Sequence, residues 1–163
     1  MKLNKLKWYV VLFFLLAVLV LAGCSKKAAT PDTTTDTANV AASQVTLFKS
    51  QSCGCCDLYL RYMEKNDYAV TVNQVDDLSP VKDKYHIPQQ MQSCHTSVIG
   101  NYFVEGHMPT EAIVKLMAEK PDIAGIALPG MPSGSPGMPG SKQGRWTIYA
   151  VGKDGSITEF MKI

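Results

Sequence analysis

The chain opens with Lys2, Lys5 and Lys7 ahead of an unbroken apolar run from Trp8 to Ala22, which closes on Leu21-Ala22-Gly23-Cys24. A positive segment, a short apolar run and small residues before a cut form the layout of a secretory signal peptide. At about 15 residues the run falls below the ~20 needed to span a bilayer. From Ser25 to Ser43 the pattern reverses to Ala, Thr, Asp and Ser, with Val40 the one large apolar residue. No core can be built from that composition, and it reads as a flexible tether.

Beyond Gln44 the apolar positions become periodic. Val45, Leu47 and Phe48 predict a strand over Gln44–Lys49, and Leu60 and Met63 share one face of a helix predicted from Cys56 to Asn66. Val70, Val72 and Val75 alternate through a strand at Ala69–Val75. A short helix is expected from Leu78 to Tyr85, ended near Pro88. A strand follows over Thr96–Val104, broken by a turn at Gly100-Asn101. Thr110 is expected to cap a helix running from Glu111 to Lys120 and stopped by Pro121. Trp146–Val151 and Ser156–Met161 flank Gly152-Lys153-Asp154-Gly155, a hairpin signature. Between them, Ile123 to Gly144 is rich in Gly, Pro, Ser and Met, and stretches of that length in compact domains are usually functional or disordered.

The order β-α-β-α-β-α-β-β predicts an α/β (α+β) fold with helices flanking a mixed sheet. It resembles the thioredoxin fold in its opening strand, its cysteine motif at the first helix N-terminus and its later β-β-α. The expected organisation is a signal peptide at 1–23, a tether at 24–43 and one domain at 44–163.

Composition adds two limits. A hydrophobic share of 46% in 163 residues supports a real core. Removing Lys2, Lys5 and Lys7 from the 16 basic residues leaves 13 against 14 acidic, a net of −1. With no basic stripe, nucleic acid is not an expected partner.

Chemistry concentrates in the five cysteines. Leu21-Ala22-Gly23-Cys24 resembles the bacterial lipobox, so Cys24 is the expected lipidation site of an exported, membrane-anchored protein. Ser25 and Lys26 lack the Asp of inner-membrane retention, which favours the outer membrane in a cell that has one. Cys53-Gly54-Cys55-Cys56 holds a C-x-C and a C-x-x-C together. At a helix N-terminus both backbone N–H groups and the helix dipole favour thiolate, the form that attacks disulfides and binds metals.

Three features tilt the reading toward metal. Adjacent Cys55 and Cys56 join in a disulfide only under strain, whereas three packed thiolates suit sulfur-bridged ions. Cys94, just before Thr96-Ser97-Val98, falls where a thioredoxin-like fold turns a loop toward the cysteine motif. Met131 and Met138 lie in a loop with no period that would make them core, and thioether plus thiolate selects Cu(I). Met63 and Met117 have helical spacing and read as core. His95 and His107 either ligate or orient the loops by hydrogen bonding. The competitors are two structural disulfides, a structural zinc site that leaves the methionine loop idle, and thiol–disulfide exchange with Cys53 as nucleophile and Cys56 resolving.

Five blocks carry a further resemblance: Cys53-Gly54-Cys55-Cys56, Val75-Asp76-Asp77-Leu78, Ser93-Cys94-His95-Thr96, Val104-Glu105-Gly106-His107, and Pro129-Gly130-Met131-Pro132 through Gly137-Met138. Together they resemble the bacterial family, long labelled of unknown function, that contains the CopG-type copper-resistance proteins. The resemblance implies a thioredoxin-like fold and a cysteine-bridged cluster of more than one Cu(I). Its ligands would be Cys53, Cys55, Cys56 and Cys94, with Met131 and Met138 contributing. It also implies a periplasmic address beside copper-efflux and copper-oxidising partners. Asp57-Leu58-Tyr59 departs from the more basic or Trp-containing segment expected after the motif, which alters the local field without removing a ligand. Sequestration and Cu(I)/Cu(II) redox handling both remain open, so enzymatic turnover is not settled by sequence.

Overall fold

The computed structural model describes residues 44–163; the leader, Cys24 and the tether lie outside the described residues. Seven strands form one mixed sheet in the order β2-β1-β3-β4-β5-β6-β7. They are β1 (Gln44–Lys49), β2 (Ala69–Gln74), β3 (His95–Ile99), β4 (Tyr102–Glu105), β5 (Gly125–Ala127), β6 (Thr147–Val151) and β7 (Ile157–Lys162). Helix α1 (Gly54–Lys65) links the parallel pair β1–β2, and α3 (Thr110–Glu119) links the parallel pair β4–β5. The other neighbours pair antiparallel. Helix α2 (Ser79–Lys84) and a 3-10 turn at Gln89–Met91 lie between β2 and β3.

Side-chain alternation divides the core in two. Val45, Leu47, Ile99, Val104, Ile126 and Ile148 pack with Tyr59 and Met63 of α1 and with Ala112, Ile113 and Leu116 of α3. Phe103, Ala127 and Val151, each one position out of phase with that set, pack with Ile87 and Met91. The sheet is thus covered on both faces, as its period of two requires. Among the described residues, no helix is long and apolar enough to cross a membrane.

Three expectations are corrected. Helix α1 begins at Gly54 rather than Cys56, so Cys55 and Cys56 sit inside its first turn. Thr110 is the first residue of α3 rather than its cap. Its Oγ1 pairs with the Tyr62 hydroxyl at 3.0 Å, and Pro109 precedes it without a side-chain cap. Strand β5 was hidden in the Gly/Pro-rich stretch, because three residues without alternation carry no periodic signal.

A buried ion pair fixes the start of β3. Thr96 and Glu105 are cross-strand partners whose side chains point toward the α2 face, and Lys82 of α2 reaches Glu105 there as its salt-bridge partner. Both residues are buried. Glu105 also accepts hydrogen bonds from the Ser93 amide at 2.6 Å and the Thr96 hydroxyl at 2.6 Å. One carboxylate therefore holds the backbone on both sides of Cys94.

The loop between β5 and β6 is seated by a close approach. A Cβ on Gly137, whose φ is +80°, would lie 2.7 Å from the Tyr59 amide nitrogen and 3.0 Å from the Cys55 carbonyl. Only glycine lets the loop touch the first turns of α1 here.

Two substitutions test these supports. Glu105→Gln leaves the Lys82 ammonium buried without its counter-charge and should cost roughly 3–5 kcal/mol in denaturant unfolding. Adding Lys82→Met should recover most of that loss; a single variant within about 1 kcal/mol of the parent would remove the pair as the anchor. Gly137→Ala should cost about 1–3 kcal/mol through strain and backbone collision, and limited proteolysis should then cut within residues 128–144 faster than in the parent.

Candidate metal centre

Cysteines arrive at the centre from two elements. Cys53 precedes α1, with its amide donating to the Ser50 carbonyl at 3.3 Å, and no side chain caps the helix. The first amides of a helix lack intrahelical acceptors, so the sulfurs of the first turn sit in a field that favours anions. Cys94 arrives on the strand side. Lys49 at the end of β1 is paired with His95 at the start of β3, which brings the residue before β3 next to the motif after β1.

The four sulfurs converge as the sequence leads one to expect. Cys55 Sγ lies 3.6 Å from Cys53 Sγ and 3.9 Å from Cys94 Sγ, and Cys94 Sγ lies 3.6 Å from Cys56 Sγ. All four ligand atoms fall within 4.8 Å of one another. Cys53 and Cys56 are joined in a disulfide, while Cys55 and Cys94 are free thiols. The strain that discourages a Cys55–Cys56 bond therefore does not protect the motif from oxidation, because the C-x-x-C pair takes it.

Burial, followed by the neighbouring Cys55 thiol, pushes the Cys94 thiol up to about 12. In the absence of metal Cys94 is a protonated thiol, unlike an activated nucleophile. A metal ion that binds it must displace that proton.

Two histidines line the same point. His95 Nδ1 is 3.3 Å and His107 Nε2 is 3.2 Å from Cys94 Sγ. His107 Nδ1 lies 2.6 Å from the Pro136 carbonyl oxygen. A carbonyl only accepts, so Nδ1 carries the proton and Nε2 presents its lone pair toward the sulfur. His95 Nε2 has no hydrogen-bond partner among the described residues. Burial, then His107 and Lys82, pushes His95 down to about 3, and burial also lowers His107 against the pull of the Pro136 carbonyl. Both imidazoles are neutral at pH 7, the form that ligates metals.

The floor beneath them is Tyr59 of α1. Its ring centroid lies 4.5 Å from that of His95 and 5.6 Å from that of His107. Its hydroxyl donates to the Met108 carbonyl at 3.2 Å, and burial raises the phenol so that it keeps this proton. Asp57, just after the cysteine motif, is met by the buried Lys49 at 3.1 Å. Its charge next to the motif is thereby offset.

The methionines stand apart from this well-defined set. Met131 is exposed on the loop with φ +45°, and Met138, half-buried, follows the Gly137 contact with α1. Met63 is core as expected, and Met117 packs partly buried against the same cluster.

Sequence reasoning missed Lys82, Lys49, Tyr59 and the Pro136 carbonyl. Glu105 sat in a quoted block without a role. Lys82 in a short polar helix reads as a solvated charge, and a backbone carbonyl leaves no mark in a sequence at all.

The family model described as "Protein of unknown function, DUF411" matches residues 91–138. No curated protein matches the chain. A solved structure named "Copper resistance protein copG- Form 1" is 37% identical, with a TM-score of 0.69, covering 74% of this chain and 97% of that one. The structure named "Copper resistance protein copG- Form 2" is 36% identical, with a TM-score of 0.70, covering 75% and 98%. With matched identity over nearly the whole of those chains, this chain belongs to the family of unknown function that contains the CopG-type copper-resistance proteins.

Proposed function

We propose that the domain takes up Cu(I) as its cargo through Cys53, Cys55, Cys56 and Cys94, within an exported, lipid-anchored protein that contributes to copper tolerance. The observation that carries the reading is the convergence of four sulfurs from two separate elements: three pairs lie at 3.6–3.9 Å, and the fourth contact is the Cys53–Cys56 disulfide, whose reduction frees both sulfurs to ligate. Metal–thiolate bonds of ~2.3 Å at tetrahedral angles place sulfurs ~3.8 Å apart, so the spacing fits ligands of shared ions. Thiolate selects soft Cu(I), and four bridging sulfurs serve more than one ion. Met131 and Met138 supply further soft donors from the loop. Cys24 supplies the membrane anchor, on the periplasmic side in a cell with two membranes, where copper-efflux or copper-oxidising proteins are the fitting partners.

A second reading rests on the Cys53–Cys56 disulfide itself, the expected resting state of a thiol–disulfide oxidoreductase. Cys94, a protonated thiol beside it, is poorly suited to attack.

One experiment separates them. The full-length chain in detergent, reduced and kept anaerobic, should take up more than one Cu(I) per chain, and Cys55→Ser should impair uptake as severely as Cys53→Ser. If Cys55→Ser leaves both copper uptake and exchange with a model disulfide intact, the oxidoreductase reading stands and the four-sulfur site falls.

A further inference from the structure

Ser93 is half-buried, and its hydroxyl oxygen is buried with no hydrogen-bond partner among the described residues. A buried hydroxyl without a partner costs stability, so its place beside Cys94 needs a reason. The backbone around it is fixed. The Ser93 amide donates to Glu105 at 2.6 Å, and the Gly106 amide donates to the His95 carbonyl at 3.2 Å. Gly106, at φ +82°, makes the room: a Cβ there would lie 3.0 Å from Ser93 Oγ and 3.1 Å from Ser93 Cβ. The serine side chain therefore packs against the bend that carries His107, whose Nε2 lies 3.2 Å from Cys94 Sγ. Hydroxyl and sulfur share one corner of the fold.

We infer that Ser93 is a positioning residue whose hydroxyl donates to the Cys94 sulfur when that sulfur becomes an anion, without itself touching the metal. The inference rests on the copper reading above and adds to it what stabilises the bound thiolate.

The chemistry of sulfur explains the missing partner. A neutral thiol is a weak acceptor, and in the metal-free protein Cys94 is a thiol whose proton faces the lone pair of His107 Nε2. No acceptor then claims the Ser93 proton. A thiolate is a far better acceptor, and a hydrogen bond to an ionised group is about twice as strong as a neutral one. Burial and the Cys55 thiol push the Cys94 thiol up, and the Ser93 hydroxyl is the side chain that pulls it down. Metal uptake displaces the thiol proton, and the charge left on sulfur meets a donor that the fold already holds nearby. Glu105 and Lys82 anchor the Ser93 backbone rather than its hydroxyl, so this contact is separate from the ion pair. Closing it takes rotation of two adjacent side chains and no movement of the backbone.

The test begins without copper. The full-length chain in detergent, with Cys53 and Cys56 in their disulfide, is treated with iodoacetamide at fixed pH, and modification of Cys94 is followed by peptide mass spectrometry. Ser93→Ala should slow that modification roughly threefold to tenfold, because losing a charge-assisted bond lowers the thiolate fraction more than it raises nucleophilicity. Lost bulk alone would open the sulfur and speed the reaction. Denaturant unfolding of the metal-free variant should show stability unchanged or raised, since an unpartnered buried hydroxyl has gone. With copper, the reduced variant should bind as many Cu(I) ions as the parent, but about tenfold more weakly. Alkylation that is unchanged or faster, a clear loss of stability, or equal Cu(I) affinity in variant and parent would each overturn the inference. Cu(I) uptake by the reduced parent reads the four-sulfur site by itself, so its failure is visible apart from the alkylation result.

Discussion

Antiparallel pairing of β1 with β3 sets the end of one strand beside the beginning of the other, and the centre depends on it. Lys49 faces His95 across that ladder, so the chain leaving β1 and the chain entering β3 must pass close together. The cysteine motif occupies the first path and Cys94 the second. No local propensity places sulfurs 38 residues apart at 3.6 Å; strand register does. A one-residue slip would turn His95 away from Tyr59 and Thr96 away from Lys82, dismantling both faces of the support at once.

That same alternation explains the division of labour around Cys94. On one face His95 meets the aromatic floor of α1. On the other Thr96 joins the buried carboxylate network of Glu105 and Lys82. Cys94 is half-buried between these two faces, and most polar atoms around it have partners. His95 Nε2 and the Ser93 hydroxyl are exceptions, buried polar atoms without a hydrogen-bond partner among the described residues. Such atoms are few in native proteins, and each calls for a physical reason such as strain, a redox role or a bound water or ion.

Much of this was legible in the sequence. The strands at Gln44–Lys49 and Ala69–Gln74 and the terminal hairpin announced themselves by alternation and turn residues, and the cysteine spacing pointed to chemistry before any fold was drawn. The convergence of Cys94 on the motif was readable only through the resemblance to a strand-loop arrangement. Lys82 and Glu105 were not readable, because a buried ion pair looks in sequence like two ordinary surface charges. The tautomer of His107 was invisible too, set as it is by the backbone oxygen of a proline 29 residues on. The proposed exported address and lipid anchor rest on residues before Gln44, which lie outside the described residues, and are expectations from sequence alone.

Cys53 and Cys56 are three positions apart, and so short a link restricts the unfolded chain only modestly, by about 2 kcal/mol in the loop-entropy account. The sheet is held by Val45, Leu47, Ile99, Val104 and their partners, none of which depends on that bond. Making or breaking it leaves the architecture standing. Its redox state is thus a variable the cell's surroundings can set at little structural expense, and the scaffold meets either condition with the same walls.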